Sequence, residues 1–169
     1  KLRLNASTCA EYYISVPALT TGRMPRPGEA ARIRALGPQM HAMAEIHWTG
    51  WNTWMTNNPG HTWYEAGVEA RRQMALAGYD TALGDTWALN ELPSGVRSGA
   101  TSATLRQNVR DFVHGLYDGD GTDPTGGVVW TVGIGHSTAD TTTYKQNLRS
   151  WLKDAPFWDD MARYVRWWG

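Results

Sequence analysis

Apolar residues along the chain are arranged in two alternating kinds of segment. Short, nearly continuous apolar runs rich in β-formers predict buried strands, and four occur, near residues 11–18, 40–48, 81–91 and 128–135. Longer segments with helical spacing lie between and after these runs, near residues 29–36, 62–77 and 102–117, with two more beginning near 142 and 156. In the third of them, Leu105, Val109, Phe112, Val113 and Leu116 follow the i, i+4, i+7 pattern of one helix face.

This alternation predicts an α/β fold with a parallel sheet and right-handed crossovers, formed by residues 1–169 as a single domain. A doubly wound sheet is one option, but the first strand–helix turn has no glycine-rich phosphate motif. Four βα units with long aromatic loops after the strands favour half, or another segment, of a (β/α)₈ TIM barrel, which typically needs about 250 residues. The chain starts at Lys1 without a Met and closes with Trp167–Trp168–Gly169, whose Trp pair would need a further element to cover it, so we expect the remainder of the barrel in a longer parent chain.

Charge and composition exclude several classes of partner. The 16 basic and 16 acidic residues balance, which leaves no electrostatic footprint for nucleic acid. No apolar run approaches the roughly 18 residues of a membrane-spanning helix, and the single Cys9 offers neither a disulfide nor a metal cluster. We therefore expect no nucleic-acid partner, no membrane partner and no cofactor. The missing initial Met indicates either a removed leader or an excised piece of a longer chain, and we expect a secreted or extracellular protein.

Polar and aromatic residues leave the predicted strands at their carboxyl ends, where parallel α/β folds place their chemistry. They are Glu45, His47, Trp48, Asn90, Glu91 and His136, with Trp51 and Trp54 in the polar loop predicted over residues 49–61. The chain holds ten Trp but two Phe. Indole rings stack on the C–H faces of sugars, while Asn, His and carboxylates bind the hydroxyls. The set predicts a carbohydrate ligand.

One segment also resembles a known family. Trp87–Ala88–Leu89–Asn90–Glu91–Leu92–Pro93 is similar to the acid/base segment that ends the fourth strand of the large clan of retaining (β/α)₈ glycoside hydrolases. The resemblance covers this segment and the βα order. It implies that the chain is a glycoside hydrolase in which Asn90 binds the sugar 2-hydroxyl and Glu91 acts first as the acid and then as the base.

Hydrolysis of a glycosidic bond needs a second carboxylate. The clan supplies it as a Glu about three strands later, and no such strand is predicted before Gly169. The second carboxylate therefore lies beyond this chain, or Glu45 or Asp85 takes the role. Asp85 lies at the far end of its strand and is predicted to pair in the core or at the bottom of the barrel. Glu45 is the better-placed catalytic partner for Glu91.

Two other functions stay open. The same cleft could belong to a non-catalytic carbohydrate-binding or scaffold module. A metal-dependent hydrolase could use Glu45, His47 and His136 as ligands. Because Glu45 and His47 are two residues apart, they face the same side of a strand, and we prefer the interpretation that they bind each other or substrate hydroxyls.

Overall fold

The computed structural model describes residues 11–17, 26–91, 103–122, 124–131 and 149–169. Its strands are β1 (Tyr12–Pro17), β2 (Met40–His47), β3 (Thr86–Asn90), β4 (Val128–Thr131) and β5 (Val165–Trp168). Its helices include α1 (Glu29–Arg34), α2 (Trp48–Asn57), α3 (Trp63–Leu76), α4 (Ala103–Asp118) and α5 (Ala155–Tyr164). Residues 149–152 are also helical. In the described part of the chain, no helix combines the length and the apolar character needed to cross a membrane.

The strands form one five-stranded sheet in the order β1-β2-β3-β4-β5, and every pair is parallel. The predicted α/β class, with alternating strands and helices and a parallel sheet, is confirmed. Each strand lies beside its predecessor in sequence, so right-handed crossovers all advance in one direction and place the helices on one face of the sheet. The core agrees with this arrangement, because the buried residues of all the named helices join the inward residues of β2, β3 and β4 in a single cluster.

The alternating burial of residues along strand β2 distinguishes the two faces of the sheet. Ala42, Ala44 and Ile46 are fully buried against the helices, whereas the alternate residues are only half-buried. The half-buried residues are His41, Met43, Glu45 and His47. We call the face that carries them the open face. Strand pairing adds Asn90 opposite His47 and Thr131 opposite Asn90, so the open face collects polar groups at the carboxyl ends of three strands.

The sheet curls strongly around its open face. Its two outer strands would lie about 19 Å apart in a flat sheet, yet the rings of Tyr13 in β1 and Trp167 in β5 have centroids 4.7 Å apart. The line of paired residues that contains Trp167 passes through Val129, Ala88 and Glu45 to Pro17. Tyr13 precedes Pro17 by four residues. Four successive strand pairings thus connect Trp167 to Pro17, whereas the residue that Trp167 meets across the open face, Tyr13, lies four positions before Pro17 in β1.

Helices α3 and α4 are in direct backbone contact behind the sheet. A Cβ added to Gly67 would lie 2.2 Å from the carbonyl oxygen of Phe112, and one added to Gly115 would lie 2.0 Å from that of Tyr64. Arg71 of α3 is buried and donates to the carbonyls of Tyr117, Gly126 and Pro124. These hydrogen bonds fix the segment that leads from α4 into β4.

Three element predictions are wrong. The loop predicted over residues 49–61 is helix α2 as far as Asn57. The third strand begins at Thr86 rather than near Thr81, because Thr81–Leu83 form a 3₁₀ turn that ends at Gly84 with φ 85°. The helix predicted to begin near residue 156 ends at Tyr164, and Val165–Trp168 form a fifth strand that pairs with β4 and that the sequence analysis did not predict. The helix predicted to begin near residue 142 and the end of the strand predicted over 128–135 lie partly outside the described residues.

Candidate functional site

Glu45 and His47 form a pair at the carboxyl end of β2. Nε2 of His47 lies 3.1 Å from Oε1 of Glu45, and both side chains are partly accessible. The predicted contact between these two residues is confirmed. When Nε2 carries the proton, the imidazole donates to the carboxylate and fixes its orientation on the open face.

Asn90 ends β3 beside this pair. Its side-chain oxygen Oδ1 accepts a hydrogen bond of 3.2 Å from the hydroxyl of Thr131, which also approaches the carbonyl of Leu89 at 3.3 Å. With its oxygen engaged in this way, the amide presents its NH₂ group as a donor. Thr131 is a site residue that the sequence analysis missed. A polar residue directly after the buried Val-Val-Trp run of β4 is the signal that would have identified it.

Glu91 has an unusual backbone. It is the only non-glycine residue with positive φ among the described residues, at φ 57°. Its N–H donates to the carbonyl of Thr131 at 2.7 Å, and its carbonyl accepts from the indole Nε1 of Trp130 at 3.2 Å. The left-handed conformation costs a residue with a Cβ about 1–2 kcal/mol, and such residues cluster at functional sites. Two contacts from β4 thus hold Glu91 in a conformation that its side chain disfavours.

This strain can be measured with a matched pair of variants. Glu91→Gly and Glu91→Ala both lack the carboxylate, so the side-chain interactions of Glu91 are lost equally in the two. We expect the glycine variant to be more stable than the alanine variant by about 1 kcal/mol, because only alanine keeps the unfavourable Cβ. Urea unfolding of both proteins gives the difference. A glycine variant of equal or lower stability would contradict a strained backbone at Glu91.

The structure changes the roles of the three tryptophans after β2. Trp48 and Trp51 are 6% and 3% exposed on the inward side of α2. Trp48 stacks on Trp63 with centroids 4.4 Å apart, and Trp51 packs against Phe112 at 5.5 Å. Their prediction as sugar-stacking residues is therefore corrected, because the rings that would stack on a sugar are used in the core. Trp54 is half-buried and stays accessible from an open groove.

That groove lies between α2, α3 and the segment after α4. It has a volume of about 630 Å³, and its walls include Trp54, His61 and Tyr64 together with the carboxylates of Glu65, Glu69, Asp118 and Asp120. These carboxylates have structural partners. Glu65 closes the capping box of α3, where the backbone N–H of Thr62 lowers its pKa, and Glu69 holds Arg72 through two hydrogen bonds. We assign the groove no role in the site at the strand ends.

Two other titratable residues, His41 and Asp85, have structural partners. Nδ1 of His41 lies 3.0 Å from the carbonyl of Leu83, so this histidine has a structural partner. Asp85 is buried and pairs with Arg34, in agreement with its predicted core role. His136 lies outside the described residues. Within the part of the chain that is described, no group of three or more His, Cys, Asp and Glu side chains is arranged to hold a metal ion.

The geometry of the two predicted catalytic carboxylates follows from the pairing of their strands. Glu45 pairs with Ala88, and Glu91 lies three residues beyond Ala88. Strand dimensions then place their Cα atoms about 11 Å apart. His47 and Asn90, which pair across β2 and β3, lie along the strands between the two carboxylate residues, so a ligand at this edge would meet two carboxylates, an imidazole and an amide. Comparison of the chain with protein-family models, curated proteins and solved structures finds no match.

Proposed function

We propose that the carboxyl edge of the sheet is a glycoside-hydrolysing site in which Glu91 is the general acid/base and Glu45 the second carboxylate. One observation carries the proposal. Glu91 is held in a left-handed conformation directly after Asn90, one strand away from the Glu45–His47 pair. A strained acidic residue among convergent polar groups at the carboxyl edge of a parallel sheet is the arrangement expected of a catalytic group.

Each residue has a definite part in the proposed chemistry. Glu91 donates its proton to the leaving glycosidic oxygen and, in the retaining case only, later takes a proton from the water that hydrolyses the glycosyl-enzyme. Glu45, oriented by His47, either attacks the anomeric carbon or activates the water, according to whether the carboxyl groups are about 5–5.5 Å or about 6.5–9.5 Å apart. The NH₂ group of Asn90 binds a hydroxyl of the sugar whose bond is cleaved.

The curvature of the sheet supports placing this site in a segment of a (β/α)₈ barrel. A barrel of eight strands with shear 8 shifts by one residue per strand, and its fifth strand lies opposite its first. In such a barrel, a residue of the fifth strand therefore faces a residue of the first strand that lies four positions away from the one to which strand pairing connects it. Trp167 contacts Tyr13, which lies four positions from Pro17 in the same way. We propose that three further parallel strands close the barrel in a longer, secreted parent chain.

A non-catalytic carbohydrate-binding module is the second candidate. It is favoured by the engagement of Glu45 with His47, since a carboxylate held for structural reasons need not react. In that case Asn90, Glu91 and His47 bind sugar hydroxyls and no bond is cleaved.

The experiment that tests the proposal uses the unmodified protein. It is incubated with 4-nitrophenyl glycosides and with β-1,4-linked hexasaccharides of glucose, xylose, mannose and N-acetylglucosamine. We expect cleavage of at least one substrate, and NMR of the first product anomer distinguishes retention from inversion. Binding of a hexasaccharide without cleavage of any substrate would favour the second candidate. Neither binding nor cleavage would overturn the proposed carbohydrate site.

A further inference from the structure

Aromatic rings line the groove between α2, α3 and the segment after α4. The ring of Trp54 packs on buried Trp51, whose ring centroid is 5.6 Å away, and lies 5.3 Å from the ring of His61. Tyr64 of α3 is 40% exposed at the same groove, and Val68 lies about one turn further along the helix. The groove therefore presents indole and phenol surface to solvent, on rings that two packed helices carry.

The groove also holds negative charge that its own hydrogen bonds do not neutralise. Three of its carboxylates accept hydrogen bonds from uncharged donors of the protein. The pairs are Thr62 with Glu65, Tyr64 with Asp118 and Thr122 with Asp120. The backbone N–H of Thr62 lowers the pKa of Glu65. The hydroxyl of Thr122 likewise lowers the pKa of Asp120. These donors hold the carboxylates in place as anions and leave their charge available to a ligand.

Few cations oppose this charge. Arg72 forms two hydrogen bonds with Glu69 and so neutralises only the fourth carboxylate. Arg71 is 1% exposed, and its guanidinium donates to backbone carbonyls of the segment after α4. Nδ1 of His61 lies 3.6 Å from Oε2 of Glu65, but the imidazole carries a charge only when it is protonated. The described residues that line the groove include no Lys or Arg, and the groove is net negative.

We propose that this groove is a binding site for a quaternary ammonium ion, which lies over the ring of Trp54 and is opposed by the carboxylates of Glu65 and Asp118. The inference goes beyond the proposed function and does not depend on it. The faces of Trp and Tyr rings attract such a cation at up to about 6 Å from the ring centroid, and its methyl groups cover the apolar surface. The volume of about 630 Å³ lies within the range of about 300–1,000 Å³ that is usual for small-molecule sites.

Other ligands fit the groove less well. Each N–H of a primary ammonium needs an acceptor, whereas Glu65 and Asp118 already accept from the protein. A quaternary ammonium has no donor to satisfy, so it compensates the charge without displacing those bonds. A neutral sugar would cover the rings but would leave the carboxylates uncompensated. A phosphocholine headgroup adds a phosphate, which the carboxylates repel, so the free cation is favoured over a lipid surface.

The test titrates choline into the unmodified protein and follows the indole N–H signals by NMR. The signal that Trp54→Phe removes identifies Trp54, and this signal should shift on binding. The uncharged isostere 3,3-dimethyl-1-butanol lacks the cation, and phosphocholine adds an anion. Each should therefore bind at least about tenfold more weakly than choline.

Two substitutions separate the effect of the ring from that of the charge. Trp54→Ala should raise the Kd for choline about tenfold. Asp118→Asn should raise it about threefold or more, because asparagine keeps the acceptor for Tyr64 but loses the charge. Asp159→Asn, at the exposed surface of α5 and outside the groove, removes the same charge and should leave the Kd unchanged.

None of the outcomes depends on the cleavage of a glycoside. A Trp54 signal that does not move with choline would overturn the site. Equal affinity for choline and its isostere would overturn a cation site, and equal affinity for phosphocholine would overturn the preference for the free cation. Equal losses in Asp118→Asn and Asp159→Asn would trace binding to the overall charge and also count against the groove. If Trp54→Ala fails to fold, the shift of the Trp54 signal and the affinity of Asp118→Asn decide the matter.

Discussion

Replacement of Glu91 by glutamine is expected to slow the cleavage of an unactivated glycoside by about 10²- to 10⁴-fold, which is the usual contribution of a positioned general acid. Glutamine has the shape of glutamate but cannot donate a carboxylic proton to the leaving oxygen. Because the shape is kept, the free energy of unfolding should change by less than about 0.5 kcal/mol. Steady-state kinetics on the hexasaccharide that is cleaved fastest, together with urea unfolding, give the two quantities.

The leaving group distinguishes an acid from a residue that only supports the fold. A 2,4-dinitrophenyl glycoside needs little protonation, so Glu91→Gln should lose much less activity on it than on the hexasaccharide. Equal losses on both substrates would contradict the assignment of Glu91 as the acid. Glu45→Gln should instead slow both substrates, and Glu29→Gln, in the first turn of α1, is a control that should slow neither.

Much of the fold could be predicted because local signals and tertiary packing agree. Helix α3 begins where Thr62 and Glu65 form a capping box, and its small residues Ala66 and Ala70 are fully buried, as their spacing indicates. Strand β2 was predicted almost to the residue, since its apolar run is nearly continuous and its end is polar. The contact between Glu45 and His47 followed from the two-residue period of that strand.

Helix α2 could not be predicted because tertiary packing overrides its composition. The segment carries Gly50, Asn52 and several threonines, which have weak helix propensity. The burial of Trp48 and Trp51 against Phe112 stabilises the helix instead, and the hydroxyls of Thr53 and Thr56 bond back to carbonyls four residues earlier. Strand β5 could not be predicted because a short apolar run does not by itself distinguish a strand from a helix. The residues from Val165 onward fit a helix face as well as a strand, and only pairing with β4 decides between them.

The candidate site was predictable in its residues but not in its backbone. Asn90 and Glu91 stand out in the sequence as polar residues that end an apolar run. The left-handed conformation of Glu91 depends on contacts with Thr131 and Trp130, which are about 40 positions away in the sequence. Strand register brings these residues together, and register is a property of the folded sheet.

The site is held in place from the opposite end of the strands by Asp85, which is 1% exposed and immediately precedes β3. Its Oδ1 accepts the backbone N–H of Ala42 at 2.9 Å, and its Oδ2 accepts that of Asp80 at 2.9 Å. The guanidinium of Arg34 also binds Oδ2 and reaches the carbonyl of Gly78 at 3.1 Å. One carboxylate thus joins α1, β2 and the turn before β3.

Asp85→Ala is therefore expected to lower the free energy of unfolding by about 3–5 kcal/mol, a large part of the stability of a domain of this size. The substitution leaves two backbone N–H groups and a guanidinium without their acceptor. Arg34→Met should cost less, because it removes one donor and leaves the two N–H groups bound to Asp85. Urea unfolding measures both variants, with Asp159→Ala at the exposed surface of α5 as the control expected to change stability by less than about 0.5 kcal/mol. If Asp85→Ala were no less stable than that control, Asp85 would not be the residue that anchors β3.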